Sequence, residues 1–158
     1  MNRMARSAGT AEYRALAQFR FLIRRYLNNA EKAARSVGLE PQQYMGLLAL
    51  RGLPNSQEPT IRCLAERLQI QHHSAVELVD RMEKRGLFKR KRSKRDRRHV
   101  LVHVTPHGEK ILSRLVRHRI KELRVFAPSL TRALHAVLGA ASARTRTKSS
   151  ANDFETDN

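Results

Sequence analysis

Residues 71–105 read QHHSAVELVDRMEKRGLFKRKRSKRDRRHVLVHVT, and this stretch decides the fold of the 158-residue chain. In its first half, apolar residues recur at positions i, i+3, i+4 and i+7, the stripe of a helix that lies on a core: Ala75, Leu78, Val79 and Met82. Polar residues recur about every four positions on the other face: His73, Glu77, Arg81 and Lys84. Gly86 ends the helix. The pattern predicts one packed side and one unbroken polar side.

The second half of the stretch predicts a β-hairpin with a cationic tip. After Gly86 the chain reads LFKRKRSKRDRR and then HVLVHVT, whose β-branched, alternating residues are typical of a strand. From Arg81 to Arg98 there are eleven Lys or Arg residues against two acids, a balance of +9 in eighteen residues. Half of the formal net charge of +18 therefore lies at the end of the predicted helix and in the hairpin.

Composition limits the classes of partner and compartment. The 32 Lys and Arg residues against 14 acids predict a polyanionic partner, either nucleic acid or an anionic membrane surface. The length suits a single domain. No apolar run approaches the roughly 20 residues that span a bilayer, and the N-terminus lacks the apolar core of a signal peptide. The one cysteine cannot form an internal disulfide, which agrees with a reducing compartment. The lack of a membrane span, of a signal peptide and of a disulfide together favours a cytoplasmic protein.

The N-terminal part predicts a flexible arm and one long helix. Residues 1–10 have no periodic pattern and are expected to be mobile. Over residues 11–37, apolar residues step by three or four up to Gly38, which ends the helix: Leu16, Phe19, Ile23, Tyr26, Leu27, Ala30, Ala34 and Val37. Such a helix is about 39 Å long. A small domain does not cover that length, so we expect a second subunit to cover the remainder.

A shorter helix follows the first glycine stop. Pro41 suits the first turn of a helix that runs to Gly52 and turns Tyr44, Leu47 and Leu48 inward. The sequence LPNSQEP, residues 53–59, is then a predicted loop.

The next helix forms a helix-turn-helix with the helix of the opening stretch. Thr60 is a good N-cap for it, and its predicted buried side is Ile61, Leu64, Ala65 and Leu68. Only about three residues, 69–71, join the two helices, which is the tight connection of a helix-turn-helix. The second helix starts between His72 and Ser74. Ser74 and Glu77 could form a capping box there.

The C-terminal part predicts two further helices and a tail. Thr105 and Pro106 suit the cap and first turn of a helix that continues to about Phe126. Pro128 is predicted to break it, and residues 129–141 form a last short helix. The tail, residues 142–158, is polar with almost no apolar residues, so we expect it to be disordered.

LVDRMEKRGL, a basic loop and then DRRHVLVHVTPHG resemble the recognition helix and wing of the MarR family of bacterial transcription regulators, in the same order and at similar spacing. A weaker resemblance extends over residues 11–141. It implies a mainly α fold with a small β-hairpin wing: a winged helix-turn-helix at about 41–105 with dimerisation helices at about 11–37 and 106–141. It also implies a homodimer that binds double-stranded DNA at a pseudo-palindromic operator and usually represses.

The resemblance assigns DNA contacts to the start of the recognition helix. His72, His73, Ser74 and Glu77 would lie at or near the end that enters the major groove. Glu77 could accept a hydrogen bond from a cytosine amino group or pair with Arg81. For Arg81, a salt bridge inside the domain and a phosphate contact are both open.

The wing carries a second set of implied DNA contacts. On a strand, residues two apart share a face at about 6.6 Å, so Asp96 can orient the guanidinium of Arg98. By resemblance, Arg98 would enter the minor groove, whose negative potential is strongest in narrow A·T-rich stretches. Lys94, Arg95 and Arg97 are expected phosphate contacts.

Three residues are candidates for an effector or redox response. In the family, a small aromatic or phenolic compound, or an oxidant, often releases DNA, and by resemblance Tyr26 and Tyr44 would line the effector site. The alternative for both is a plain core role, which is the commoner role of such residues. Cys63 lies in the first turn of the helix after Thr60, where amides and Arg62 favour a thiolate. The alternative is an inert small hydrophobe.

Catalytic and metal sites are not predicted. His99, His103 and His107 are spaced by four, which on a strand is about 13 Å, too far for a shared tetrahedral ion. The chain has no nucleophile elbow, phosphate loop or His-Glu-x-x-His pattern, so we predict no cofactor and no enzyme activity. The alternative to a specific regulator is a sequence-independent polyanion binder, either nucleoid-structural or attached to an anionic membrane surface.

Overall fold

The computed structural model describes residues 8–93 and 99–152, with side chains as far as residue 140. Its elements follow in order: α1 (Thr10–Ser36), α2 (Pro41–Arg51), α3 (Ile61–Leu68), α4 (His72–Lys84), β1 (Phe88–Arg92), β2 (Val100–Val104) and α5 (Pro106–Asn152). This confirms the predicted fold class, mainly α with one antiparallel hairpin. The chain divides into a terminal unit, Met1–Asn29 with Lys121–Asn158, and a central unit, Ala30–Ile120.

Helices α3 and α4 form the predicted helix-turn-helix. The hydroxyl of Thr60 accepts a hydrogen bond from the amide of Cys63 at 3.1 Å, which caps α3. Three residues, 69–71, then join the helices, and Gln69 turns the chain with a positive φ of 54°. Helix α4 begins at His72 after Gln71, which places Ser74 inside the first turn. A capping box that starts at Ser74 is therefore excluded.

The core of the central unit forms on the stripe that the sequence predicts for α4. Ala75, Leu78, Val79 and Met82 are all 0% exposed. Leu64 of α3 and Leu47 of α2 are equally buried. Leu48 is a wrong prediction, because it is 37% exposed while Leu50 is buried. The buried side of α2 follows Tyr44, Leu47 and Leu50 in steps of three, which turns Leu48 away from the core.

The hairpin, β1 with β2, pairs Phe88 with Val104 and Arg92 with Val100. A short bridge between Thr60 and Leu101 extends it, and the amide of Val102 donates to the carbonyl of Pro59 at 2.7 Å. The segment that leads into α3 therefore runs along β2, which fixes the hairpin on the helix-turn-helix.

Tight turns hold the two ends of the hairpin to the neighbouring helices. Gly86 has a φ of +66°, which favours glycine. The Thr105 hydroxyl donates to the Gly86 carbonyl at 2.6 Å and accepts from the Gly108 amide at 3.1 Å. Thr105 therefore caps α5 as predicted and closes the base of the hairpin.

The terminal unit contains the first part of α1 and the last part of α5. Leu22 and Ala133 are buried in it, and the rings of Tyr26 and Phe126 stack with centroids 5.9 Å apart. Many of its other large apolar side chains are exposed: Tyr13, Leu16, Phe21, Leu27, Leu123, Val125, Leu134 and Leu138. Residues 1–7 of the predicted arm lie outside the described residues.

Helix α5 differs from the prediction at Pro128 and beyond it. The helix continues through Pro128 to Asn152, so the predicted break is wrong. Phe126, Leu130 and Ala133 are partly or fully buried at helical spacing on both sides of the exposed proline. This burial offsets a defect that costs about 3 kcal/mol in a helix.

The prediction of a disordered tail is wrong for residues 142–152, which are helical. An existing helix extends residue by residue without a new nucleation step, and low hydrophobicity does not prevent this. Residues 153–158 of the predicted tail lie outside the described residues. No helix of the described chain is both long enough and apolar enough to span a bilayer.

Candidate nucleic-acid interface

The polar row of α4 lies on the surface. His72, His73, Glu77 and Arg81 are exposed, and Ser74 is half-buried. Gln71 makes no side-chain cap to the first turn, so its side chain leaves the first-turn amides available to another acceptor. The start of α4 therefore presents two imidazoles and a hydroxyl on a rigid, well-packed helix.

Glu77 and Arg81 form an ion pair one turn into this row. The nearest carboxylate and guanidinium atoms are 3.8 Å apart, and the side chains are 67% and 54% exposed. Exposed pairs of this kind contribute little to stability and exchange readily. Glu77 thus pairs with Arg81, as one of its two predicted roles requires, and both side chains stay accessible to a ligand.

Several cations of the hairpin are exposed at its surface. Lys89, Lys91 and Arg92 on β1 are exposed, and the amide of Ser93 donates to the carbonyl of His99 at 2.9 Å at the last described rung. Five residues of the predicted DNA-binding wing, between Ser93 and His99, lie outside the described residues: Lys94, Arg95, Asp96, Arg97 and Arg98. Their roles stay predictions.

Besides Arg81, two further arginines between residues 81 and 98 are engaged within the protein. Arg85 donates to the Gln43 side chain at 2.5 Å and to the Gly38 carbonyl at 2.8 Å. Arg90 donates to Glu83 Oε2 and to Asp80 Oδ1, both at 2.5 Å. Burial opposes the charged form of Arg90, but the hydrogen bonds and charges of Asp80 and Glu83 outweigh it and raise its pKa.

Sequence reasoning missed the role of Arg90, which it counted as one more hairpin cation. A signal was available, because Asp80 and Glu83 are three residues apart, share one face of α4 and lie within or beside a strongly basic stretch. Two acids on one helix face within or beside a basic stretch indicate that they form ion pairs with a nearby cationic side chain.

His103 lies opposite Lys89 in the hairpin register. Burial first, and then the charges of Lys91 and Lys89, lower its pKa below the ordinary value of 6.5. The lowered pKa favours the neutral form of the ring over the charged form. His99 Nδ1 lies 4.0 Å from a carboxylate oxygen of Glu58. In the described part of the chain, no three His, Cys, Asp or Glu side chains are grouped to hold a metal ion.

Cys63 is half-buried and lines an open cavity of about 570 Å³. Glu58 and Glu66 line the same cavity, and Arg62 donates to Glu66 at 3.1 Å. Arg67 also lines the cavity, so charges of both signs surround it. A redox role of Cys63 stays a prediction.

The two tyrosines occupy different units. Tyr44 is 7% exposed and belongs to the core of the central unit. Tyr26 is half-buried in the terminal unit against Phe126. Each has a packing role, and the effector role stays a prediction.

The fold and sequence resemble known regulators. A family model described as "MarR family" matches residues 37–99. The uncharacterized HTH-type transcriptional regulator YsmB of Bacillus subtilis (strain 168) is 32% identical over 93 residues, 59% of this chain. The match spans 62% of the length of that relative.

Solved structures share the fold over most of the chain. AbsC, a MarR family transcriptional regulator from Streptomyces coelicolor, superposes with a TM-score of 0.68 at 21% identity, over 90% of this chain and 99% of that one. The transcriptional repressor CouR, bound to a 23-mer DNA duplex, superposes with a TM-score of 0.57 at 26% identity, over 75% of this chain and 84% of that one.

Proposed function

We propose that the chain, which matches a MarR family model over residues 37–99 and a transcriptional regulator at 32% identity, is a MarR family DNA-binding transcription regulator that represses as a homodimer on a pseudo-palindromic operator. The observation that carries the proposal is the exposed polar face of α4 beside the basic hairpin, both fixed to one core. Such regulators are not enzymes, and the proposed task needs no cofactor.

Helix α4 is the proposed reader of the major groove. A B-DNA major groove is about 12 Å wide and admits one α-helix. The exposed side chains at the start of α4 include donors and acceptors for base edges: His72, His73, Ser74 and Glu77. Arg81 lies further along the same face, where a guanidinium can leave its exposed partner Glu77 for a phosphate.

The hairpin is the proposed minor-groove arm. The family resemblance gives Arg98 the groove contact with Asp96 as its orienter, and gives Lys94, Arg95 and Arg97 phosphate contacts. The exposed Lys89, Lys91 and Arg92 extend the same basic surface along the described part of β1. Exposed cations of this kind suit the phosphate backbone of a duplex.

The terminal unit is the proposed dimer interface. Leu16 and Leu27 are each 49% exposed, Leu138 is 57% exposed and Val125 is 83% exposed. Large exposed apolar side chains that form a patch mark an interaction surface in a soluble protein. A second copy of the chain would cover them and relate the two α4 helices by a two-fold axis.

Release by a small aromatic or phenolic compound is part of the proposal, with Tyr26 and Tyr44 as candidate contacts. The resemblance alone supports this, and the protein would act in the cytoplasm on the nucleoid. The alternative, a sequence-independent polyanion binder, shares the charge but needs no ordered polar row on α4. The match to the MarR family model does not favour it.

Selection of duplexes from a random pool, followed by affinity measurement at one fixed salt concentration, tests the proposed function. The selected duplex should bind on the order of 10³-fold more tightly than a scrambled duplex of the same composition. A preference near one after repeated selection would support the polyanion binder and overturn the proposal.

A further inference from the structure

One rung of the hairpin is anchored on both sides. Arg90 and Val102 lie opposite each other in the register. The amide of Arg90 donates to Glu83 Oε1 at 3.0 Å, and the amide of Val102 donates to the Pro59 carbonyl at 2.7 Å. Both amides thus point outward, as in the non-hydrogen-bonded rungs of an antiparallel pair. A two-stranded ribbon has two open edges, and at this rung one is joined to α4 and the other to the entry of α3.

Arg90 makes the anchor to α4 specific. Its two terminal guanidinium nitrogens divide between Glu83 and Asp80, and its side chain is 28% exposed. The acids are one turn apart on α4, so a planar guanidinium that contacts both holds β1 at one place along the helix and at one angle to it. The two carboxylates accept hydrogen bonds from the guanidinium N–H groups that would otherwise donate to a phosphate.

Asp80 and Glu83 would weaken DNA binding if net charge alone determined the affinity. Asp80 and Glu83 lie against a hairpin that would bind polyanionic DNA, and each repels phosphate at close range. Their side chains are 48% and 39% exposed, so solvent screens them only in part. The presence of two acids at this place is explained if they hold the hairpin in position on α4.

We propose that Arg90 is a positioning residue, which sets the direction of the hairpin relative to α4 through Asp80 and Glu83 and so aligns the two DNA-contacting elements. This inference rests on the proposed function. It separates Arg90 from the neighbouring exposed cations Lys91 and Arg92, which are free to contact phosphate.

The variant Asp80→Ala/Glu83→Ala tests the proposal, because it removes the anchor and also makes the chain more positive by two charges. Alanine preserves α4. The matched control is Glu31→Ala/Glu66→Ala, which removes two acids from exposed pairs of α1 and α3. Arg90→Lys is a second variant, since it keeps the charge but loses the planar fork.

The selected duplex and its scrambled counterpart are the probes. The anchor variant should lose about tenfold in preference for the selected duplex, the size of one lost base contact, while scrambled DNA binds as tightly as before or more tightly. Arg90→Lys should also lose preference, with the salt dependence of binding unchanged. The control should bind both duplexes slightly more tightly at constant preference. An anchor variant that behaves like the control would overturn the proposal.

Hydrogen exchange without DNA separates this inference from the proposed function. In the anchor variant, the amides of residues 88–104 should exchange faster while those of α2 and α3 stay unchanged. Unchanged exchange in the hairpin, or equal acceleration throughout the chain, would contradict a positioning role even if the protein proves not to prefer any duplex. If the wild-type protein shows no duplex preference but the anchor variant shows the expected change in exchange, the proposed function is contradicted and the positioning role of Arg90 is supported.

Discussion

Individual cations of the basic stretch differ in what they can contact. Arg85 and Arg90 donate to partners in the protein, whereas Lys91 and Arg92 are exposed. We therefore expect the number of phosphates neutralised, and with it the salt dependence of binding, to be smaller than the local charge of the sequence indicates. Composition counts charges, and only the fold shows which of them are already paired.

Burial at single positions was predictable where a pattern repeats. The α4 stripe is confirmed residue by residue because four apolar positions at helical spacing leave one possible face. Leu48 was predicted wrongly because α2 carries leucines on several faces, and the sequence does not decide which face meets the core. Arg90 was missed because its partners belong to another element.

Asp96→Ala tests the orienter role at the residue scale. Removal of an acid favours DNA binding if charge alone acts, but it should weaken operator binding if Asp96 orients Arg98. Arg98→Ala should lose on the order of 1 to 3 kcal/mol, mainly on the selected duplex. Asp96→Ala should reproduce part of that loss. Fluorescence titration of selected and scrambled duplexes measures both.

Lys94→Ala is the control for a phosphate contact. It should weaken both duplexes alike and reduce the salt slope by about one. If Asp96→Ala instead binds the selected duplex more tightly at unchanged preference, Arg98 is only another phosphate contact.

Among the elements, the caps of α3 and α5 were predicted correctly, whereas the break within α5 was not. Thr60 and Thr105 cap α3 and α5 as expected, because a hydroxyl before a helical pattern has a definite acceptor task. Pro128 did not end α5, since the effect of a proline depends on burial in the turns around it. That burial is a property of the folded unit.

The junction between hairpin and α5 gives a prediction at the element scale. A Cβ on Gly108 would lie 2.7 Å from the Leu87 carbonyl oxygen, and that carbonyl is fixed by the Thr105 amide at 3.0 Å. Gly108→Ala should therefore lower the free energy of unfolding by about 1 to 3 kcal/mol, measured by urea denaturation.

Gly139→Ala in the same helix is the matched control. A Cβ there would meet no atom within 4 Å, so alanine should raise the stability by about 0.5 to 1 kcal/mol through helix propensity. Equal effects of the two variants would mean that the close contact at Gly108 does not constrain the junction.

At the scale of the whole molecule, the chain combines a well-packed central unit with a terminal unit that leaves large apolar side chains exposed. The sequence predicted this, because the long apolar face of α1 exceeds what one small domain covers. It did not predict how far α5 extends. A two-fold dimer would bury the exposed residues and set two α4 helices at a fixed spacing.

Hydroxyl-radical footprinting of the selected duplex tests a sequence-specific dimer most directly, because it reports both the protected backbone positions and their spacing. The wild-type protein should protect two symmetry-related stretches whose centres lie about 34 Å, one helical turn, apart, and scrambled DNA should show none. Even protection along both duplexes, or a single protected stretch with one chain bound, would contradict the account.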